Sequence, residues 1–158
     1  YVNPFIGTGS IDSLSLSGSN FPGAVAPFGL VQLSPDTDAN PEDPCSGYDF
    51  ADDTIVGFSH THLSGTGVAD LFDFLFMPFR GAAKWNAKVN AKGELGYCSS
   101  FQHSNEKASP GYYSVTLDDA QMKVDLTASE HCGIHQYWNQ GKDTFSVMID
   151  LNLSLIQI

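Results

Sequence analysis

The chain has 158 residues, 42% of them hydrophobic, and a formal net charge of −11. One domain with a real core fits that length, and 11 Phe, 6 Tyr and 2 Trp exclude a disordered chain. The negative balance excludes nucleic-acid binding, which needs surfaces that neutralise phosphate, and no stretch approaches the ~18 apolar residues of a membrane span.

In chain order, residues 7–20 are almost all Gly, Ser, Thr, Asn and small apolar residues and read as a loop. Pro22, Pro27 and Pro35 punctuate short extended segments, because proline and its preceding residue resist helix. Strands are expected over 29–34 and 54–60. Residues 70–79 fit a helix face or a strand buried on both sides, and the aromatic content favours the strand. Tyr113–Leu117 and Met122–Leu126 alternate around Asp118-Asp119 and predict a hairpin. A third strand is expected over 133–138. A polar turn over 139–143 then leads to a fourth strand at 144–151. This spacing predicts an all-β, antiparallel β-sandwich. The apolar run to Ile158 would leave an unfinished edge, which predicts an N-terminal piece of a longer polypeptide.

His60-Thr61-His62 is the sharpest local pattern. On a strand, both imidazoles share a face and could meet a sugar or a metal, but no third metal ligand is nearby. Structural hydrogen bonding is the alternative. Leu63-Ser64-Gly65-Thr66-Gly67 lacks the Lys of a phosphate loop and reads as a tight turn. Asp36, Asp38, Glu42, Asp43, Asp49, Asp52 and Asp53 offer carboxylates. Inverting glycoside hydrolysis needs two of them about 6.5–9.5 Å apart, and acids beside Pro, Gly or Asn are often turn formers. Cys45, Cys98 and Cys132 show no metal spacing. Reduced, mostly buried thiols are expected, with one disulfide plus a free thiol as the alternative. No Gly-x-Ser-x-Gly elbow is present, and Cys45 has no basic neighbour to activate it. Trp85, Trp138, Tyr48, Tyr112 and Tyr113 are candidates for stacking on sugar rings, or for core.

Six strings in register carry a resemblance that covers nearly the whole chain. They are Tyr1–Gly9, Phe21–Ala24 with Pro27-Phe28-Gly29, Val31–Thr37, Cys45–Tyr48, Gly57–Gly67 and His103–Tyr113. Together they resemble the N-terminal domain of glycoside hydrolase family 92, the calcium-dependent exo-α-mannosidases. The resemblance implies a galactose-mutarotase-like supersandwich, here incomplete at its C-terminal end. It also implies a C-terminal (α/α) barrel domain that supplies the catalytic Glu and Asp and most calcium ligands. Residues 1–158 would then hold no catalytic residue and no metal ligand.

The loop matched by residues 42–48 contributes to the sugar pocket in that family. A Trp three residues before the Cys marks α-1,2-specific members, and Glu42 stands there in this sequence. Glu42, Cys45, Tyr48, His60 and His62 are therefore the expected substrate-binding or domain-interface residues. The implied substrate is a mannose-containing glycan, cleaved with inversion. The implied location is outside the cytoplasm, in a bacterial periplasm or the extracellular space. A stand-alone carbohydrate-binding or interaction module is the rival reading, since sandwiches host many functions.

Overall fold

The computed structural model describes residues 2–9, 20–37, 46–65, 70–87 and 96–151. Eleven strands are found in it: β1 (Ala24–Val25), β2 (Gln32–Asp36), β3 (Thr54–Ile55), β4 (Gly57–Ser59), β5 (Leu75–Phe79), β6 (Ser99–Ser100), β7 (Lys107–Ser109), β8 (Tyr112–Leu117), β9 (Met122–Ala128), β10 (Gly133–Asn139) and β11 (Ser146–Asp150). A single 3-10 turn, His103–Asn105, is the only helical element among the described residues. Every strand pairing is antiparallel. One sheet runs β1-β2-β4-β5-β11, a second runs β10-β9-β8-β7, and β3 pairs with β6 alone. The all-β expectation holds.

The hairpin builds the core most directly. Tyr113, Val115 and Leu117 of β8 stand opposite Leu126, Val124 and Met122 of β9, and all six are buried. Alternation puts them on one face, where β9 packs over β1 and β2. Ala24, Leu33, Phe58, Leu75 and Met77 of the other sheet complete the cluster. Each large apolar side chain buried there contributes about 1.5–3 kcal/mol.

Several boundaries differ from the sequence expectation. The strand expected at 29–34 starts at Gln32, because Gly29 is bonded back to the Ala26 carbonyl (2.9 Å) in a turn. It continues through Pro35 to Asp36, and Pro35 lies beyond Leu33, the last residue matched with β1. The 54–60 segment is two strands in different sheets, broken at Val56. Of 70–79, only Leu75–Phe79 is strand. Leu71, Phe72 and Phe74 have φ of +78°, +55° and +54°, so the chain curls there. Backbone bonds from Phe72 N to the Thr61 carbonyl (3.0 Å) and from His60 N to the Asp73 carbonyl (2.9 Å) hold the curl. In β11 the apolar Val147 and Ile149 are on the exposed side, while Met148 packs on the core. The run from Asn152 to Ile158 lies outside the described residues.

Candidate functional site

The turn Ser46-Gly47-Tyr48 is buried at all three residues and is held from both sides. Thr37, just past β2, donates its N–H to the Gly47 carbonyl at 2.7 Å. Its hydroxyl accepts from Asp49 N at 2.9 Å. Ser46 Oγ donates to the Asn20 carbonyl at 3.0 Å. Gly47 has φ +84°, a region that glycine enters without strain. A Cβ there would meet Asp36 Oδ1 at 2.5 Å, Phe72 Cε1 at 2.7 Å and His62 Cδ2 at 3.2 Å. The turn therefore rests against the buried side chains of Asp36 and His62.

Those two side chains form one unit. His62 Nδ1 faces the Gln32 carbonyl at 2.7 Å. A carbonyl only accepts, so Nδ1 carries a proton. Nε2 faces Asp36 Oδ1 at 2.9 Å and Ser59 Oγ at 3.0 Å. The Nε2–Oδ1 contact needs a further proton between the two atoms. Asp36 Oδ2 accepts from Ser59 N at 2.9 Å. The imidazole is 0% exposed and the carboxylate 3%, and Phe21 and Phe72 cover the ring.

A second buried carboxylate anchors the other end of the turn. Tyr48 donates its hydroxyl to Glu106, 2.9 Å from Oε1 and 3.0 Å from Oε2. Tyr113 donates to Oε1 at 2.6 Å, and His103 Nδ1 lies 2.8 Å from Oε2. Burial first, then the Glu106 charge and its hydrogen bond, push the pKa of both tyrosines well above the usual value. Phe50 stacks on the His103 ring with centroids 4.2 Å apart.

Of the expected site residues, Tyr48 and His62 meet around this turn. Glu42 and Cys45 lie outside the described residues. His60 does not join His62. The expectation of two imidazoles on one strand face fails because β4 ends at Ser59, and the chain bends before His60. His60 turns toward β10. Its Nδ1–H donates to the Phe74 carbonyl (3.1 Å), Tyr137 O–H donates to His135 Nδ1 (3.0 Å), and His135 Nε2–H then points at His60 Nε2 (3.4 Å). Gly133 permits this pairing, since a Cβ there would be 2.8 Å from His60 Cδ2.

This second histidine pair sets an acid-side stability prediction. Burial, then the neighbouring His60, lowers the His135 pKa to about 3. Burial also lowers that of His60, opposed by its bond to Phe74. A neutral buried imidazole takes up a proton more readily once unfolded. Its contribution is therefore whole above about pH 6.5 and is lost as pH falls toward about 3. Below pH 6.5 the His135 share declines by about 1.4 kcal/mol per pH unit. Replacing His135 by Gln should flatten the fall in denaturation midpoint between neutral and acid pH. Parallel wild-type and variant curves would refute it.

Two carboxylates in this region carry roles that sequence reasoning missed. Asp36 reads as a turn former beside Pro35 but is a buried strand residue. Glu106 stood among Ser, Asn and Lys with no apolar pattern around it, and only its position between His103 and Tyr113 hinted at a partner. Asp49 does cap a local turn, accepting from Ala51 N, while Asp53 accepts from the neighbouring Thr54 hydroxyl. Asp38 and Asp43 lie outside the described residues. Of the two described thiols, neither is fully buried as expected: Cys132 is exposed and Cys98 half-buried, and neither is in a disulfide.

Among the described residues, no three His, Cys, Asp or Glu side chains come together to hold a metal ion. Asp36 and Glu106 have their oxygens taken by protein donors. A calcium ion wants roughly six to eight oxygen ligands, so these residues do not fit the calcium that the resemblance implies. For the same reason, neither carboxylate is placed to exchange a proton with a substrate.

The six strings behind the resemblance frame this site, and residues 1–157 match the glycosyl hydrolase family 92 N-terminal domain. The chain belongs to that family. It is 43% identical to a family 92 α-mannosidase of Bacteroides thetaiotaomicron, with a TM-score of 0.86 over 96% of this chain and 20% of that one. A further structure of that enzyme holds mannoimidazole. An inverting family 92 mannosidase of the same organism is 28% identical, with a TM-score of 0.72 over 95% of this chain and 19% of that one. A secreted glycosidase of Arthroderma benhamiae, itself uncharacterized, is 24% identical over 146 residues, covering 87% of this chain and 17% of its own length. The chain thus spans about a fifth of the length of these relatives. No described helix is long and apolar enough to cross a membrane.

Proposed function

We propose that this chain is the N-terminal part of an exo-acting α-mannosidase that cleaves mannose-containing glycans with inversion. The observation that carries the reading is the 43% identity, across 96% of the chain, to an α-mannosidase structure also known with mannoimidazole bound. A C-terminal domain of the same polypeptide supplies the general acid and the general base. It also holds the calcium that the family resemblance implies. The enzyme is exported, as its secreted relative is.

The part played by this chain is to fix the Ser46–Tyr48 turn, the described end of the 42–48 loop that shapes the sugar pocket. Thr37 holds Gly47 against the Asp36–His62 pair, and Glu106 holds Tyr48. Glu42 on that loop bonds sugar hydroxyls where a Trp would stack on a ring face, so a linkage other than α-1,2 is cleaved.

The test is mannose release by the whole protein from α-1,2-, α-1,3- and α-1,6-linked mannobiosides. Expected is turnover with the α-1,2 substrate the poorest, loss of activity on chelation, and recovery with calcium. No turnover on any of the three would overturn the mannosidase reading. Full activity in excess chelator would overturn the calcium, and preference for the α-1,2 substrate would overturn the role of Glu42.

A further inference from the structure

The outer face of β8, β9 and β10 carries chemistry that none of the roles above uses. Residues opposite one another in an antiparallel pair share a face. Ser114, Asp125 and Gln136 therefore form one row across the sheet, and Thr116, Lys123 and Trp138 form the next. Tyr113 and the Glu106 cluster lie on the opposite face. Asp125 sits at the centre of the outer one. It accepts from Tyr112 Oη (2.6 Å), Trp138 Nε1 (2.6 Å) and Lys123 Nζ (3.0 Å). Burial works to raise its pKa, but the bonds from Tyr112, Ser114, Lys123 and Trp138 together outweigh it and bring it to about 2.

This arrangement decides what the two rings offer. The O–H of Tyr112 and the N–H of Trp138 are both tied down to one carboxylate, from opposite sides. The rings are then pinned at their polar edges, with their apolar surfaces left uncovered by the rest of the described chain. Trp138 is 49% exposed and Tyr112 37%. Beside Tyr112 opens a cleft of about 270 Å³, with Lys107, Ser104, Asn105 and Thr116 among its walls. That is slightly below the range of pockets for drug-sized ligands. From β7 to β10 the face is about 14 Å wide at the usual strand spacing.

The geometry points to a binding surface for a glycan chain, with hexopyranose rings stacking on Trp138 and Tyr112 and hydroxyls bonded by Lys107, Ser104, Asn105 and Thr116. A pyranose has the matching character, an apolar C–H face rimmed by hydroxyls. An amphipathic helix would need a continuous apolar strip, and here Thr, Lys, Asp and Gln separate the rings. A nucleobase could stack, but its phosphates would meet a chain of net charge −11. Such a surface would hold a polymeric substrate near the enzyme while a terminal sugar is removed. That use rests on the mannosidase reading; the binding does not.

The test is affinity electrophoresis of the whole protein in gels containing an α-mannan or a neutral β-glucan. Expected is retardation by at least one polymer. Trp138→Ala should weaken it about fivefold, the scale of one lost ring contact, and Trp138→Phe should largely keep it. Thermal unfolding checks that each variant is folded. Should Trp138→Ala fail to fold, Lys107→Glu at its exposed position must weaken retardation in its place. No retardation by either polymer, or equal retardation of wild type and folded variants, overturns the proposal. Hydrolysis is not the readout, so failure here and failure of the mannosidase reading are separable.

Discussion

Asp36→Ala should destabilise the protein by about 3–5 kcal/mol, the scale for removing one partner of a buried ion pair. The loss is large because nothing replaces the carboxylate. His62 Nε2 loses its carboxylate partner and is left with only Ser59 Oγ, and Ser59 N loses its acceptor. Both sit where water does not reach, since the imidazole is fully buried. The pair itself is not worth that much. Its attraction is offset by the desolvation of two charged groups. A double variant, Asp36→Ala with His62→Leu, should therefore lose less than the sum of the two single variants. Guanidinium denaturation of all three measures this. A loss under about 1 kcal/mol for Asp36→Ala would mean that water or a local shift satisfies His62, contrary to the buried geometry.

Glu106→Ala is expected to have the second large effect, about 2–4 kcal/mol, because three donors lose one acceptor. Tyr48 and Tyr113 hydroxyls would be left in the interior, and the His103 ring would lose its anchor beneath Phe50. Glu106→Gln keeps the volume and one carbonyl oxygen, so it should lose clearly less. The functional consequence separates a local from a global effect. Tyr48 ends the proposed sugar loop, so Glu106→Gln should raise KM for mannobiosides with a smaller change in kcat. Equal midpoints for wild type and Glu106→Ala would refute the clamp. An unchanged KM in Glu106→Gln would leave it as a purely structural anchor.

The β8–β9 hairpin and β10 were legible almost to the residue. Their alternation is strict, the turn at Asp118–Gln121 is short, and a one-residue slip would turn Tyr113, Val115 and Leu117 out to solvent. The first half of the chain was less readable because its strands are short and irregular. β3 and β4 adjoin in sequence yet belong to different sheets, and no local pattern records that break. The segment before β5 adopts left-handed backbone at Leu71, Phe72 and Phe74, where side-chain type argues for strand or helix. Contacts with Thr61 and His60, about a dozen residues away, impose that shape.

The candidate site divides the same way. Family membership was readable from six short strings, because backbone turns and close approaches restrict which residues can stand in them. Gly47 is the clearest case, with no room for a Cβ and a left-handed φ. Composition and charge argue against nucleic-acid binding and a helical membrane span, since both depend on sums over the chain. The roles of individual polar residues were not readable. Asp36 meets His62 across 26 positions and Glu106 meets Tyr48 across 58. Pairing of β2 with β4 brings Asp36 beside His62, and the tertiary fold of segments outside the strands brings Glu106 to Tyr48; only burial turns an ordinary turn-forming acid into one half of a buried pair. The split of His60 from His62 has the same origin: the alternation rule holds while a strand lasts, and the end of β4 at Ser59 is decided by tertiary hydrogen bonds.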